Sequence, residues 1–265
     1  MSAEDHPTEC RIVWRHDWAP HLFSFRVERP EGLTFVPGQF VRLGVAGNDG
    51  AMVWRAYSVV SPPDAPHLEF YSIVVPDGPF SQPLARRGVG DRLSIDRSVY
   101  GFLRTDRFQG GKHLWLMATG TGVAPFMAML ADDAAWSAYE HIVVVHGVRM
   151  QGELAYREEM EAWARGSHDR AALAHLPAPH RARLHYVPTL TRESVAGMRH
   201  GRITTQLADG SLENSLGIAI DAEDSRLMIC GNPSMIKEIR AMLGKRGMTA
   251  VRRETPGQFI VENFW

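Results

Sequence analysis

The stretch LWLMATGTGVAPFMAML, residues 114–130, decides the architecture. It opens as an apolar run suited to a buried parallel strand, passes through Gly120 and Gly122, and continues as a helix-like segment. The glycines let the backbone approach a ligand, and the N–H groups at the helix start aim at the same spot. The spacing is G-x-G-x-x-P, with Pro125 where the dinucleotide-binding fingerprint has its third glycine. Strand, glycine loop and helix in this order point to a nucleotide phosphate site.

Outward from this stretch the chain has two grammars. Downstream, apolar runs at 113–118, 142–146, 184–188 and 227–230 alternate with helix-like segments at 123–138, 153–165 and 234–247. That alternation predicts an α/β parallel sheet, with ligands at the carboxyl ends of its strands. Upstream, short strand-like runs at 10–14, 22–26, 40–45, 56–60, 68–74 and 92–95 are punctuated by breakers such as Pro37-Gly38 and Pro62-Pro63. Six strands with little helix predict an antiparallel six-stranded β-barrel. The polar, glycine-rich TDRFQGG at 105–111 separates the two, giving expected domains 1–106 and 107–265. Residues 168–180 read as a loop insertion.

The totals agree with two globular domains: 265 residues, 45% hydrophobic and 22% charged. A formal net charge of −1 gives no global field for nucleic acid or an acidic membrane, so a charged partner must meet a local patch. No apolar run reaches the length that spans a bilayer. Cys10 and Cys230, the two cysteines, are too few for a cysteine-ligated cluster, and the twelve histidines show no ligand spacing, so no metal is expected. The start, MSAEDHPTEC, has no apolar signal core, which predicts a cytoplasmic protein with reduced thiols.

Four further stretches carry chemistry. In RAYS, residues 55–58, Arg55 is either a phosphate fork or a solvated arginine, and Tyr57 either stacks on a planar heterocycle or is an ordinary strand tyrosine. In VPDGPFSQPLARRGVGD, residues 75–91, a glycine turn leads into a short helix near Ser81, which either caps that helix or joins a diphosphate cradle. CGNP, residues 230–233, places a thiol at a strand's carboxyl end, as a core residue or beside a ligand. VENFW, residues 261–265, ends in two aromatic rings that cover core, a partner or a bound planar molecule.

RAYS, GTGVAP and CGNP, in this order over nearly the whole chain, resemble the ferredoxin–NADP reductase family. The resemblance is closest to the bacterial ferredoxin/flavodoxin reductases, which also tend to end in an aromatic pair. It implies FAD and NADP(H) as cofactors and ferredoxin or flavodoxin as partner. Arg55, Ala56, Tyr57, Ser58, Tyr71, Val74, Gly78 and Ser81 would bind FAD, with Phe264 and Trp265 covering it. Thr119, Gly120, Thr121 and Gly122 would meet the NADP pyrophosphate, with Gly231 and Asn232 alongside, and Arg149, Arg192 and Arg202 are candidates for its 2′-phosphate. Ser58, Cys230 and Glu262 are the implied catalytic residues. Arg86, Arg87, Arg92 and Arg97 are candidates for docking an acidic partner, and a monomer is expected.

Two rival readings use the same frame. One is an NAD(P)H-dependent reductase that feeds an oxygenase or reduces free flavin. The other is a non-catalytic flavin- or nucleotide-binding electron-transfer subunit. Oxygenase reductases often carry a fused [2Fe–2S] domain, and a pyrimidine-pathway electron-transfer subunit an added cysteine cluster, neither of which these two cysteines can make; a separately encoded oxygenase partner stays open.

Overall fold

The computed structural model describes residues 7–47, 49–166 and 182–263. They form two compact units. One holds the chain up to Arg104 with Ala124–Ala131, and the other holds Thr105–Val123 with the chain from Asp132 onward. The 168–180 segment, Phe264 and Trp265 lie outside the described residues.

The first unit is built on β1 (Thr8–Ala19), β2 (Leu22–Glu28), β3 (Phe40–Ala46), β4 (Met52–Ser58), β5 (His67–Ile73) and β6 (Arg92–Ile95), with helix α1 (Ser81–Ala85) before β6. The strands pair antiparallel in the order β4-β3-β6-β1-β2-β5. Alternation sets their faces: Cys10 and Ile12 of β1 are buried while Glu9, Arg11 and Val13 between them are exposed. The two edge strands meet. Val60 N–H donates to the Glu69 carbonyl at 2.8 Å, and the Tyr57 hydroxyl lies 2.8 Å from Ser72 Oγ. These two bonds bring the ends of the sheet together, as the expected six-stranded barrel requires. The run expected at 56–60 is strand over Met52–Ser58, because beyond Ser58 the chain turns across the barrel corner toward β5.

The second unit carries β7 (His113–Thr119), β8 (His141–Val148), β9 (Arg183–Leu190), β10 (Arg199–His200), β11 (Ser225–Gly231) and β12 (Phe259–Asn263). They pair parallel in the order β10-β9-β8-β7-β11-β12. Leu114 to Ala118 are all buried, as in a sheet covered on both faces. The chain enters at β7, builds outward through β8, β9 and β10, and returns to β7's other side with β11 and β12. The switch point therefore lies between β7 and β11, where such sheets place their ligands.

The helices are α2 (Ala124–Leu130), α3 (Asp133–Ala138), α4 (Arg157–Ala164), α5 (Ile203–Ala208), α6 (Ser211–Leu216) and α7 (Pro233–Lys245). The single helix expected over 123–138 is two, because Asp132 starts a new one: its Oδ1 accepts from Ala134 N–H at 2.9 Å. At the amino ends of the strands, His113, His141 and His185 form a ladder across β7, β8 and β9. Successive rings are 5.3 and 5.2 Å apart, and His141 Nδ1 lies 3.0 Å from His185 Nε2. Burial, then repulsion from His141, lowers His185 to about 4.

Candidate active site

In the barrel, RAYS ends β4. Arg55 is exposed, with its Nη1 on the neighbouring Trp54 carbonyl at 2.8 Å, and Ala56 is exposed beside it. Tyr57 is half-buried, its ring against Phe80 at 5.4 Å and its hydroxyl on Ser72. Burial pushes that hydroxyl up to about 12, so it stays protonated and serves as a neutral hydrogen-bonding group. Ser58 is buried, and its Oγ has no hydrogen-bond partner among the described residues. A buried hydroxyl left unmatched costs about 1–3 kcal/mol, a cost that a polar ligand atom would remove. Tyr71 is also buried, on β5, and Val74 N–H donates to the His21 carbonyl at 2.8 Å.

The turn after β5 is fastened by Ser81. Its Oγ accepts from Val75 N–H at 2.9 Å, and a Cβ on Gly78 would stand 2.5 Å from that oxygen. Ser81 does not cap α1, whose capping position is Phe80 with no side-chain bond. Its hydroxyl instead shapes the loop that leads into the helix.

At the switch point of the second unit, the GTG and CGNP loops interlock. Thr119 Oγ1 accepts from Asn232 N–H at 2.8 Å. A Cβ on Gly122 would lie 2.4 Å from the Cys230 carbonyl oxygen, and one on Gly231 would lie 2.3 Å from Thr119 Oγ1. Glycine is required at both positions because backbone fills the space where a side chain would go. Thr121 is buried within the same turn. Asn232 then caps α7, its Oδ1 accepting from Ser234 and Met235 N–H at 2.9 and 3.2 Å, with Pro233 opening the helix.

Cys230 sits in the middle strand of three, level with Ala118 on β7 and Glu262 on β12. It is fully buried, and burial followed by the Glu262 charge raises its thiol well above the usual range. It is a neutral thiol, not a thiolate nucleophile. Glu262 Oε1 is buried without a hydrogen-bond partner among the described residues, and burial raises the carboxyl to about 7. That carboxyl is poised to hold or release a proton near neutrality.

The three candidate phosphate arginines stand at the carboxyl ends of β8 and β9 and before α5. Arg149 and Arg192 are joined through the main chain, Arg192 N–H donating to the Arg149 carbonyl at 2.9 Å. Arg192 and Arg202 are exposed, and no hydrogen bond or ion pair from a described residue holds either guanidinium. Arg149 differs: the buried Glu153 carboxylate takes its N–H, Nε and Nη2 at 3.0, 3.2 and 2.5 Å.

The family of oxidoreductase FAD-binding domains matches residues 15–102, and that of oxidoreductase NAD-binding domains matches residues 116–241. A ferredoxin–NADP reductase of Pseudomonas aeruginosa is 38% identical over 254 residues, covering 95% of each chain. The chain belongs to the ferredoxin–NADP reductase family. A flavodoxin/ferredoxin–NADP reductase of Rhodobacter capsulatus is 37% identical, covering 94% of this chain and 89% of that one. The crystal structure of a ferredoxin NADP+ reductase from Neisseria gonorrhoeae, with bound FAD and NADP, superposes with a TM-score of 0.87 at 33% identity, covering 97% and 98% of the two chains.

Two features of this ferredoxin–NADP reductase family member escaped the sequence reading. Glu153 grips Arg149 at the i,i+4 spacing of RMQGE, a signal visible in the sequence. His146 donates from Nε2 to the Gly120 carbonyl at 3.1 Å, and a lone histidine closing an apolar run gives no such signal. The residues present fit the family's cofactors: a Ser58 hydroxyl unmatched among the described residues and an exposed Arg55 in the barrel, and two interlocked glycine loops with the exposed Arg192 and Arg202 beyond. Among the described residues no cluster of His, Cys, Asp or Glu is placed to hold a metal ion, and no helix is long and apolar enough to cross a membrane.

Proposed function

We propose that this protein passes electrons between NADPH and ferredoxin or flavodoxin through FAD. The carrying observation is the interlocked pair of loops, GTG and CGNP, at the switch point of the parallel sheet, in a chain whose barrel presents RAYS. FAD, when bound, takes a hydride and gives up electrons singly, which reconciles a two-electron donor with a one-electron acceptor.

The chain's own groups supply binding and orientation. In the first domain, 1–106, Arg55 provides the cation for the FAD diphosphate. Ala56, Tyr57, Tyr71, Val74, Gly78 and Ser81 form the remaining wall. Ser58 directs its unmatched hydroxyl at the flavin. In the second, 107–265, Thr119 to Gly122 take the NADP pyrophosphate, and Arg149, Arg192 and Arg202 take the 2′-phosphate. Cys230, Gly231 and Asn232 receive the nicotinamide end, the neutral thiol packing against it, while Glu262 holds a proton at its buried oxygen. Phe264 and Trp265 cover FAD and yield to the nicotinamide.

The partner is acidic and meets a basic face of the barrel. Arg87 Nη1 bonds the Arg92 carbonyl and Arg97 Nη2 the Glu31 carbonyl, contacts to neutral groups that leave both charges without an ion pair among the described residues. With Arg86 and Arg92 they form the docking patch of a monomer acting in the cytoplasm. The deciding experiment is spectroscopic. The purified protein should be yellow, bleach within seconds under anaerobic NADPH, and recover its colour on adding oxidised ferredoxin or flavodoxin. A colourless protein, or one bleached by NADPH that passes nothing to either partner, refutes the proposal.

A further inference from the structure

His146 closes the apolar run of β8 and is fully buried, level with Ala118 on β7, two residues before Gly120. Its Nε2 lies 3.1 Å from the Gly120 carbonyl oxygen. A carbonyl only accepts, so Nε2 carries the ring proton and Nδ1 carries the lone pair. Nδ1 is buried and has no hydrogen-bond partner among the described residues. Burial lowers this histidine to about 4, so the ring is neutral and adds no charge to the loop. An imidazole that strands one nitrogen in the core is less favourable there than an aliphatic side chain of similar size. The Nε2 bond to Gly120 is what this position gains in return.

That bond fixes a direction. The peptide unit is planar and trans, so the Gly120 C=O and the Thr121 N–H point to opposite sides of one rigid plate. Gly120 has φ +52°, in a region where glycine exchanges readily with other conformations. A free plate there could rotate and bring the carbonyl, instead of the N–H, to the ligand side. The loop's far end is already held by packing of Gly122 against the Cys230 carbonyl. His146 holds the near end.

We propose that His146 is a positioning residue that locks the Gly120–Thr121 peptide with the Thr121 N–H presented to the dinucleotide pyrophosphate. The inference rests on the reading of residues 119–122 as the pyrophosphate loop. It reaches a residue that touches no ligand and acts through a main-chain carbonyl. Because the pyrophosphate is common to NADPH and NADH, the effect must not depend on the 2′-phosphate, which separates His146 from the arginines.

The test uses FAD-loaded wild type, His146→Leu, His146→Gln and His146→Asn. Calorimetric Kd values for NADP+ and NAD+ are measured with kcat and KM for both reduced dinucleotides. Partial loss of the aim of this N–H toward a charged acceptor predicts about a tenfold weaker Kd and higher KM for both dinucleotides in His146→Leu. FAD content should be unchanged. Glutamine, which places an amide donor near the position of Nε2, should restore binding to within about twofold, and the shorter asparagine should not. Unchanged Kd values in His146→Leu overturn the proposal, as does a glutamine variant no better than leucine. If His146→Leu does not fold, glutamine and asparagine decide: equal Kd values overturn it, and tighter binding by glutamine supports it. Wild-type enzyme that binds neither dinucleotide sinks the reading of the loop itself, and the inference with it.

Discussion

The main-chain N–H of Arg192 donates to the carbonyl of Arg149 at 2.9 Å, so these two arginines leave adjacent strands tied together. The Arg149 guanidinium shares its charge with Glu153, whereas the Arg192 guanidinium is exposed and unpaired among the described residues. Arg192→Ala should therefore lower kcat/KM for NADPH about 10- to 100-fold, the scale of one charge-assisted bond, and leave NADH within about twofold. Equal losses with both dinucleotides would remove Arg192 from the 2′-phosphate site.

Ser58→Ala should have effects of opposite sign with and without cofactor. It removes a buried hydroxyl that has no partner among the described residues, so the FAD-free protein should gain up to about 1–3 kcal/mol in urea unfolding. The FAD-loaded enzyme should lose affinity for FAD and be reduced by NADPH about tenfold more slowly, on the scale of one lost hydrogen bond. A loss of stability in the FAD-free protein would mean that the hydroxyl is structural.

Gly122→Ala sets a Cβ 2.4 Å from the Cys230 carbonyl oxygen, a backbone contact that no side-chain rotation can relieve. The expected cost is about 1–3 kcal/mol of stability, with NADP+ binding weakened and the barrel's FAD retained. Calorimetry and the visible flavin spectrum measure the two separately, and a normal Kd for NADP+ would contradict the close fit.

Two buried groups give the pH dependence opposing slopes. Glu262 binds its proton more tightly in the folded chain, at about 7 against an ordinary 4.5. Its contribution is complete below pH 4.5 and is lost as pH rises through about 7. His146, at about 4 against 6.5, contributes fully above pH 6.5 and loses that contribution as pH falls through about 4. Each is worth at most about 3 kcal/mol. Urea unfolding from pH 4 to 8 should show Glu262→Gln abolishing the first slope and His146→Gln the second. A profile untouched by either substitution would place both groups in contact with water.

The barrel and the parallel sheet were legible because burial leaves marks of period two in β1 and continuous apolar runs in β7 and β8. Elements without such marks were missed. β10 has two residues, α6 has six, and β12 is an edge strand whose FIVEN mixes core and surface. Motifs located the site loops, since each has a local residue pattern. His146 was not legible, because its role lies in a bond to a carbonyl 26 residues away. Neither was the pairing of Cys230 with Glu262, which is set by strand register and not by sequence separation.

The close approach of Gly122 to Cys230 and of Gly231 to Thr119 also bears on how such a protein can change over generations. Neither loop has room for a side chain unless the other retreats, so substitutions at 122 and 231 are expected to be tolerated only in company. A library that varies one position at a time would score both as immutable. One that varies residues 119–122 and 230–232 together would find whichever alternative pairs exist, and cofactor preference would be re-engineered more readily at Arg192 and Arg202, outside the interlock.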